Sequence, residues 1–132
     1  MDLTPAALVF VTERRLATLT TLRPDGTPHV VPVGFTWDAA AGVARVTARS
    51  TSRKVLNARR AEQGGGRAAL CSFERARWLT LEGPVRVREE AEVVAEAVAR
   101  YAARYEREPR EDPLRVVLEV AVDRVMSSSH LR

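Results

Sequence analysis

The sequence predicts a mainly β domain: a small closed or half-closed barrel of about six strands with three peripheral helices. Three observations point there. Short runs rich in Thr, Val and Leu alternate between apolar and polar residues. Turn chemistry separates them at close intervals, most plainly in "RPDGTP" at 23–28. Helical spacing is confined to three segments set between the strands. At 132 residues the chain is read as one domain over 1–132, long enough to bury a core without staples.

The elements follow in order. Thr4-Pro5 starts a helix, because Thr can cap and Pro is tolerated at the first helical position; Leu8 and Val11 share a face, and the helix ends near Arg15. "LATLTTL" (16–22) and "HVVPVGFTW" (29–37) are the arms of a hairpin. Pro24 presets φ in its turn and Gly26 takes a positive φ. "VARVTARS" (43–50) is the third strand, and a short helix runs from about Ser52 to Ala61. "RAALCSF" (67–73) and "RWLTLEGPVRV" (77–87) are the next two strands. Residues 89–107 form the longest helix, with Glu89, Glu90 and Glu92 at its start and Arg100, Arg104 and Arg107 toward its end, as the helix dipole favours. Val94, Val98, Tyr101 and Tyr105 make its apolar stripe, and Pro109 stops it. "LRVVLEVAVDRV" (114–125) is the last strand.

Composition narrows the function. Cys71 is the only cysteine and reads as a core thiol rather than a nucleophile. His29 and His130 stand far apart with no Cys–His spacing near them, so no metal site is expected. "PAALVFV" is too short for a signal or a membrane span, and the cytoplasm follows by default. The net charge of +4 and pI near 10.2 suit nucleic acid, an anionic cofactor or a general arginine bias. There is no Walker motif, no GxGxxG and no Ser–His–Asp set. Catalytic residues are therefore unknown, and any enzymatic chemistry would come from a bound cofactor.

One residue stands apart. Lys54 is the only lysine; every other member of the 21 Lys+Arg is an arginine. It lies in "RSTSRKVLN". In the strand before it, Ala44, Val46 and Ala48 share the inward face, while Arg45, Thr47 and Arg49 share the polar one. Ser50, Thr51 and Ser52 are all good N-cap residues, which puts Arg53 and Lys54 in the first helical turn. Cations there cost about 0.3–1 kcal/mol each against the helix dipole. An anion resolves the conflict: free N–H groups, hydroxyls and two cations converge as in a phosphate site. Lysine is a compact charge on a flexible stem, and Asn57, three residues on, can add a polar contact. A solvated basic face is the alternative.

Other features carry two readings each. Gly34 could let a flat ring approach the backbone, or mark a bulge. Trp78 could anchor an interface or simply be half-buried. Gly64–Gly66 could form an anion nest or a loose loop.

"LATLTTLRPDGTPHVVPVGFTWD", a strand, and then "TARSTSRKVLNARR" together resemble the pyridoxamine 5′-phosphate oxidase-like split-barrel proteins. The branch most similar is the deazaflavin one, which uses coenzyme F420 in actinobacteria. The resemblance runs from about Leu16 to Val125. It implies a six-stranded split β-barrel, a homodimer, and a cofactor in a groove between subunits. The phosphate would rest on Ser50, Thr51, Ser52, Arg53 and Lys54, with Thr47 and Arg49 pointing toward it and Asn57 nearby. The ring would lie along Pro32, Val33 and Gly34, with Trp78 supplied by the other subunit. A basic rim would hold the glutamates that end this cofactor. One departure is "AEQGGGRAAL", where glycines replace the Asp-Pro turn usual after the helix.

The expected activity is therefore an F420-dependent oxidoreductase, a reductase passing hydride to a small organic substrate, with no nucleic-acid or membrane partner. Binding of FMN by the same fold is the nearest alternative, and a non-catalytic cofactor carrier is another. A nucleic-acid binder is disfavoured, because aromatic content is only 5% and the arginines are scattered.

Overall fold

The computed structural model describes residues 2–132. Its elements are α1 (Pro5–Thr12), β1 (Ala17–Leu22), β2 (Pro28–Val33), β3 (Thr36–Asp38), β4 (Val43–Arg49), α2 (Arg53–Gly64), β5 (Arg67–Glu74), β6 (Arg77–Arg88), α3 (Ala91–Tyr105), β7 (Arg115–Ala121) and β8 (Arg124–Ser127). A 3-10 turn at Ser129–Leu131 follows. All strand pairs are antiparallel, in the order β2-β1-β5-β6-β7-β4-β3, with β8 beside β6.

This order explains the barrel shape. β2 and β3 lie at opposite ends of the ladder, yet only Gly34 and Phe35 separate them in the chain. Two residues reach about 7 Å. The sheet must therefore curl until its edges nearly meet, without hydrogen bonds to close them. The result is a split barrel, as expected. Inside it lie Leu19, Leu70, Leu79, Leu81, Leu118, Val46 and Val120, each almost fully buried. Ala44, Val46 and Ala48 face this core as their alternation requires.

Two expected strands each prove to be a pair. The strand expected over 29–37 breaks at Gly34-Phe35, because α3 competes for the backbone. The Phe35 N–H donates to the Tyr105 hydroxyl at 3.1 Å, and the Arg104 guanidinium donates to the Phe35 carbonyl. The strand expected over 114–125 divides at Val122-Asp123, because its halves serve different parts of the sheet. β7 pairs with β4 and β6, while β8 pairs with β6 alone. β6 itself turns the barrel corner at Gly83. A Cβ there would stand 1.8 Å from the Ala121 carbonyl oxygen, so only glycine fits.

The helices cover the open ends. The Thr4 side-chain oxygen accepts from the Ala7 N–H at 3.1 Å, the expected cap. α1 stops at Thr12, short of the expected Arg15, and buries Ala7, Phe10 and Val11 while Leu8 stays exposed. α3 spans 91–105 rather than 89–107 and ends on Glu106 at φ 53°. The glycine run caps α2: Gly65 takes φ 71°, and the Gly66 N–H reaches the Ala61 carbonyl at 2.6 Å. Cys71 lies half-buried on the outward face of β5, not in the core. Among the described residues no helix is long and apolar enough to cross a membrane.

Candidate functional site: a basic groove at the barrel split

A groove of about 360 Å³ opens where the barrel is split. β2 supplies Pro32 and Val33, and the link after it Gly34; β4 supplies Thr47, Ala48 and Arg49; α2 supplies Lys54; α3 supplies Tyr101. The segment joining α3 to β7 adds Arg107, Pro109, Arg110 and Asp112, and β7 adds Arg115. Thus six of the expected residues (Pro32, Val33, Gly34, Thr47, Arg49 and Lys54) share one cavity.

The groove gathers cations. Many arginines elsewhere have carboxylates: Arg45 meets Asp38 at 2.8 Å and Glu119 at 3.0 Å, and Arg15 meets Glu74 at 2.5 Å. Among the described residues, Arg49, Lys54, Arg107, Arg110 and Arg115 form no ion pair. The lining holds one carboxylate against these five cations: Asp112, whose Oδ1 accepts the Leu114 N–H at 3.0 Å. Arg49 and Arg115 also stand directly opposite each other in the β4–β7 ladder. Like charges in that position repel. Five cations and one carboxylate around one concavity suit an anionic ligand, and arginine forks and a lysine ammonium are the usual phosphate donors.

The local chain builds this arrangement. The Ser50 N–H donates to the Leu114 carbonyl at 2.8 Å, which ties the end of β4 to the start of β7. Arg53 and Lys54 occupy the first turn of α2, where no acidic residue stands. The expected capping is different in detail. Ser52 sits at the N-cap position, but its hydroxyl donates to the Arg49 carbonyl at 2.7 Å and caps no helical N–H. The first amides of α2 are thereby left without a side-chain cap beside Lys54.

Several expected residues fall outside the groove. Ser50, Thr51, Ser52 and Arg53 lead into α2 but do not line it. Asn57 is a correction: it does not share the outward face of Lys54. It is 2% exposed, and its Nδ2 donates to Thr21 Oγ1 at 3.1 Å, locking α2 to β1. The reason is helical phase, which places Asn57 beside buried Val55 and Ala58. Trp78 lies on the outward face of the sheet, paired across the ladder with exposed Phe73. The space before Gly34 is filled by the protein's own rings. A Cβ there would meet Tyr101 Cε2 at 2.6 Å and Tyr105 Cε2 at 3.2 Å. Glycine therefore lets Tyr101 form the groove wall. Tyr105 stands behind it, ring centroids 4.7 Å apart, and donates to the Arg15 carbonyl at 2.8 Å. Burial pushes its phenol up, so it remains a donor.

Sequence reasoning missed Arg107, Arg110, Arg115 and Tyr101 as lining residues. Arg115 had a readable signal, because pairing the third and last strands antiparallel places it against Arg49.

Comparison with known proteins gives the family. Residues 3–128 match the family described as pyridoxamine 5′-phosphate oxidase. A curated relative, the F420H(2)-dependent biliverdin reductase of Mycobacterium tuberculosis, is 48% identical over 125 residues, which cover 95% of this chain and 88% of the relative. Among solved structures, a conserved hypothetical protein of Mycobacterium tuberculosis superposes with a TM-score of 0.79 at 24% identity, covering 98% of this chain and 88% of that one. A structure described as an F420 reductase gives a TM-score of 0.71 at 23% identity, covering 89% and 94%. At those identities the two structures speak for the fold alone. The match across nearly the whole chain, and the split barrel it implies, make this protein a member of the pyridoxamine 5′-phosphate oxidase family.

Proposed function

We propose that the protein is an F420-dependent reductase whose basic groove holds the cofactor. The observation that carries this reading is the set of five unpaired cations at the barrel split. It is supported by the 48% identity to a reductase that uses reduced F420. Lys54 and Arg49 hold the phosphate, with the uncapped start of α2 beside them. Pro32, Val33 and Gly34 present a flat strand edge for the ring system, and Tyr101 closes the wall behind it. Bound there, the deazaflavin supplies the hydride. The chain's part is to fix its orientation and to screen the reacting face from water. Identity to a biliverdin reductase makes a linear tetrapyrrole the first substrate to try.

The groove of one chain is smaller than such a cofactor, and a second subunit supplies the remaining wall. The outward face of β2, β1, β5, β6 and β8 carries Leu22, Val30, Phe73, Trp78 and Met126, all exposed. Pro32 continues the exposed alternation of Pro28 and Val30 and also lines the groove. A homodimer packed on this face therefore borders the site, and Trp78 is its central aromatic anchor. A lone thiol, Cys71, is in keeping with the reducing cytoplasm.

The test is turnover. Reduced F420 is mixed with the protein and biliverdin, and its oxidation is followed optically. Cofactor oxidation that depends on both protein and biliverdin supports the reading. If reduced F420 is not consumed with biliverdin or a panel of enones and quinones, the reductase assignment fails. A yellow protein as purified, with FMN bound, would replace F420 by flavin.

A further inference from the structure

The link between β2 and β3 belongs to neither strand ladder, yet it is held firmly. Phe35 is 1% exposed and lies after the end of β2 at Val33 and before the start of β3 at Thr36. A buried N–H and C=O outside a ladder must find other partners. α3 supplies both. The Phe35 N–H donates to the Tyr105 hydroxyl at 3.1 Å, and the Arg104 guanidinium donates to the Phe35 carbonyl. The same two side chains reach on to the segment between α1 and β1. Tyr105 donates to the Arg15 carbonyl at 2.8 Å, and Arg104 Nη2 to the Glu13 carbonyl at 2.7 Å. The Arg104 guanidinium also lies 4.4 Å from the centre of the Phe35 ring. Three segments of the chain thus meet at one node. Arginine keeps its charge in a protein, and burial raises the Tyr105 phenol, so both donors persist at working pH.

The node stands directly behind the groove without lining it. Gly34, the residue before Phe35, lines the groove with Pro32 and Val33. Tyr101, one helical turn before Tyr105, lines it from α3. A Cβ on Gly34 would meet Tyr101 Cε2 at 2.6 Å, so the link and the ring are already in contact. Their spacing is fixed by how α3 grips Phe35. We propose that Tyr105 and Arg104 are positioning residues: through the Phe35 backbone they set the strand edge on which the cofactor ring rests, and with it the alignment of hydride and substrate. The proposal rests on the F420 reading and adds a division of labour to it. Lys54 on α2 governs how tightly the groove binds, and the node on α3 governs how well the bound ring is aimed. A shift of about 1 Å in that edge leaves most binding contacts in place and can still cost about a hundredfold in rate.

The experiment compares wild type, Tyr105→Phe, Arg104→Lys and Thr4→Ala as full chains, each well below its melting temperature. Tyr105→Phe removes the hydroxyl and keeps the ring that packs on Tyr101. Arg104→Lys keeps a charged donor but loses the fork that spans two carbonyls. Thr4→Ala removes the cap of α1 outside the groove and controls for a general loss of stability. Three quantities are read: the dissociation constant for F420, the absorption and fluorescence of the bound cofactor, and kcat and KM with biliverdin. Tyr105→Phe is expected to lower kcat about tenfold and alter the bound spectrum, with the dissociation constant kept within about twofold. Arg104→Lys should do the same to a smaller degree, and Thr4→Ala should match wild type. The proposal is overturned if both node variants keep the kcat and spectrum of wild type. It is overturned equally if their affinity falls as far as their kcat, or if Thr4→Ala loses as much kcat as they do. A wild type that turns over while the node variants match it sinks this proposal and leaves the cofactor reading standing; a wild type that binds no F420 sinks both. If Tyr105→Phe does not fold, Arg104→Lys carries the test, and if neither folds the node is structural alone and the proposal falls.

Discussion

Strands β4 and β7 pair along their whole length, and their two ends treat charge in opposite ways. At one end Arg45 faces Glu119. Glu119 is 4% exposed and accepts from Arg45 and Arg86 at 3.0 Å each and from Arg88 at 3.4 Å, while Asp38 takes the other side of Arg45. At the other end Arg49 faces Arg115 and no carboxylate answers either of them. The first end is a finished network, neutralised from within. The second is left open, and it borders the groove. The same ladder thus shows what arginine does for the fold and what it does for a ligand.

The comparison can be broken most sharply at its closed end. Glu119→Ala leaves Arg45, Arg86 and Arg88 around an apolar gap. Removing one partner of a buried ionic network costs about 3–5 kcal/mol, read as a lower urea midpoint. Acid acts on the same carboxylate. Burial pushes Glu119 up, but hydrogen bonds and charge from Arg45 and Arg86 outweigh it and hold the carboxyl below its ordinary 4.5. The folded state therefore binds this proton less readily than the unfolded chain. The contribution to stability is complete above about pH 4.5 and is lost as pH falls through the lowered value. A flat stability profile from pH 6 to 3 would show that the network carries none of the fold.

At the open end the effect moves from stability to binding. Lys54→Ala should weaken cofactor binding by about 1.5–3 kcal/mol, the worth of a charged hydrogen bond, and leave the melting temperature unchanged. A lowered melting temperature with intact binding would make Lys54 structural. The smallest change is the most discriminating. Arg115→Glu sets an opposite charge against Arg49 and copies the closed end. The new pair should contribute about 0.2–1 kcal/mol to the free protein, offset by loss of the Arg115 bond to the Arg110 carbonyl, while affinity for F420 falls. A gain in both would mean that the Arg49–Arg115 opposition has nothing to do with a ligand.

Much of the split barrel was legible in the sequence. Two-residue alternation put Ala44, Val46 and Ala48 inside, and turn chemistry set the first hairpin. The cation-loaded start of α2 marked one side of the groove, because local helix electrostatics can be read from neighbouring residues. What failed was non-local. Spacing suggested that Asn57 adds a polar contact beside Lys54, but the packing of α2 against β1 turned it to Thr21. Gly34 seemed to make room for a ligand ring, and the residues that claim the space, Tyr101 and Tyr105, are far along the chain. Arg107 and Arg110 gave no periodic signal, since they sit in an irregular segment whose course depends on Arg115 and Ser50.

The most direct measurement is a titration of the wild-type protein with F420, followed by the cofactor's own fluorescence at low and at high salt. Saturable binding in the micromolar range that weakens as salt rises is the expected result, because the contacts are ionic. No saturation at micromolar cofactor, or binding indifferent to salt, would mean that the unpaired cations of the split are not there to hold it.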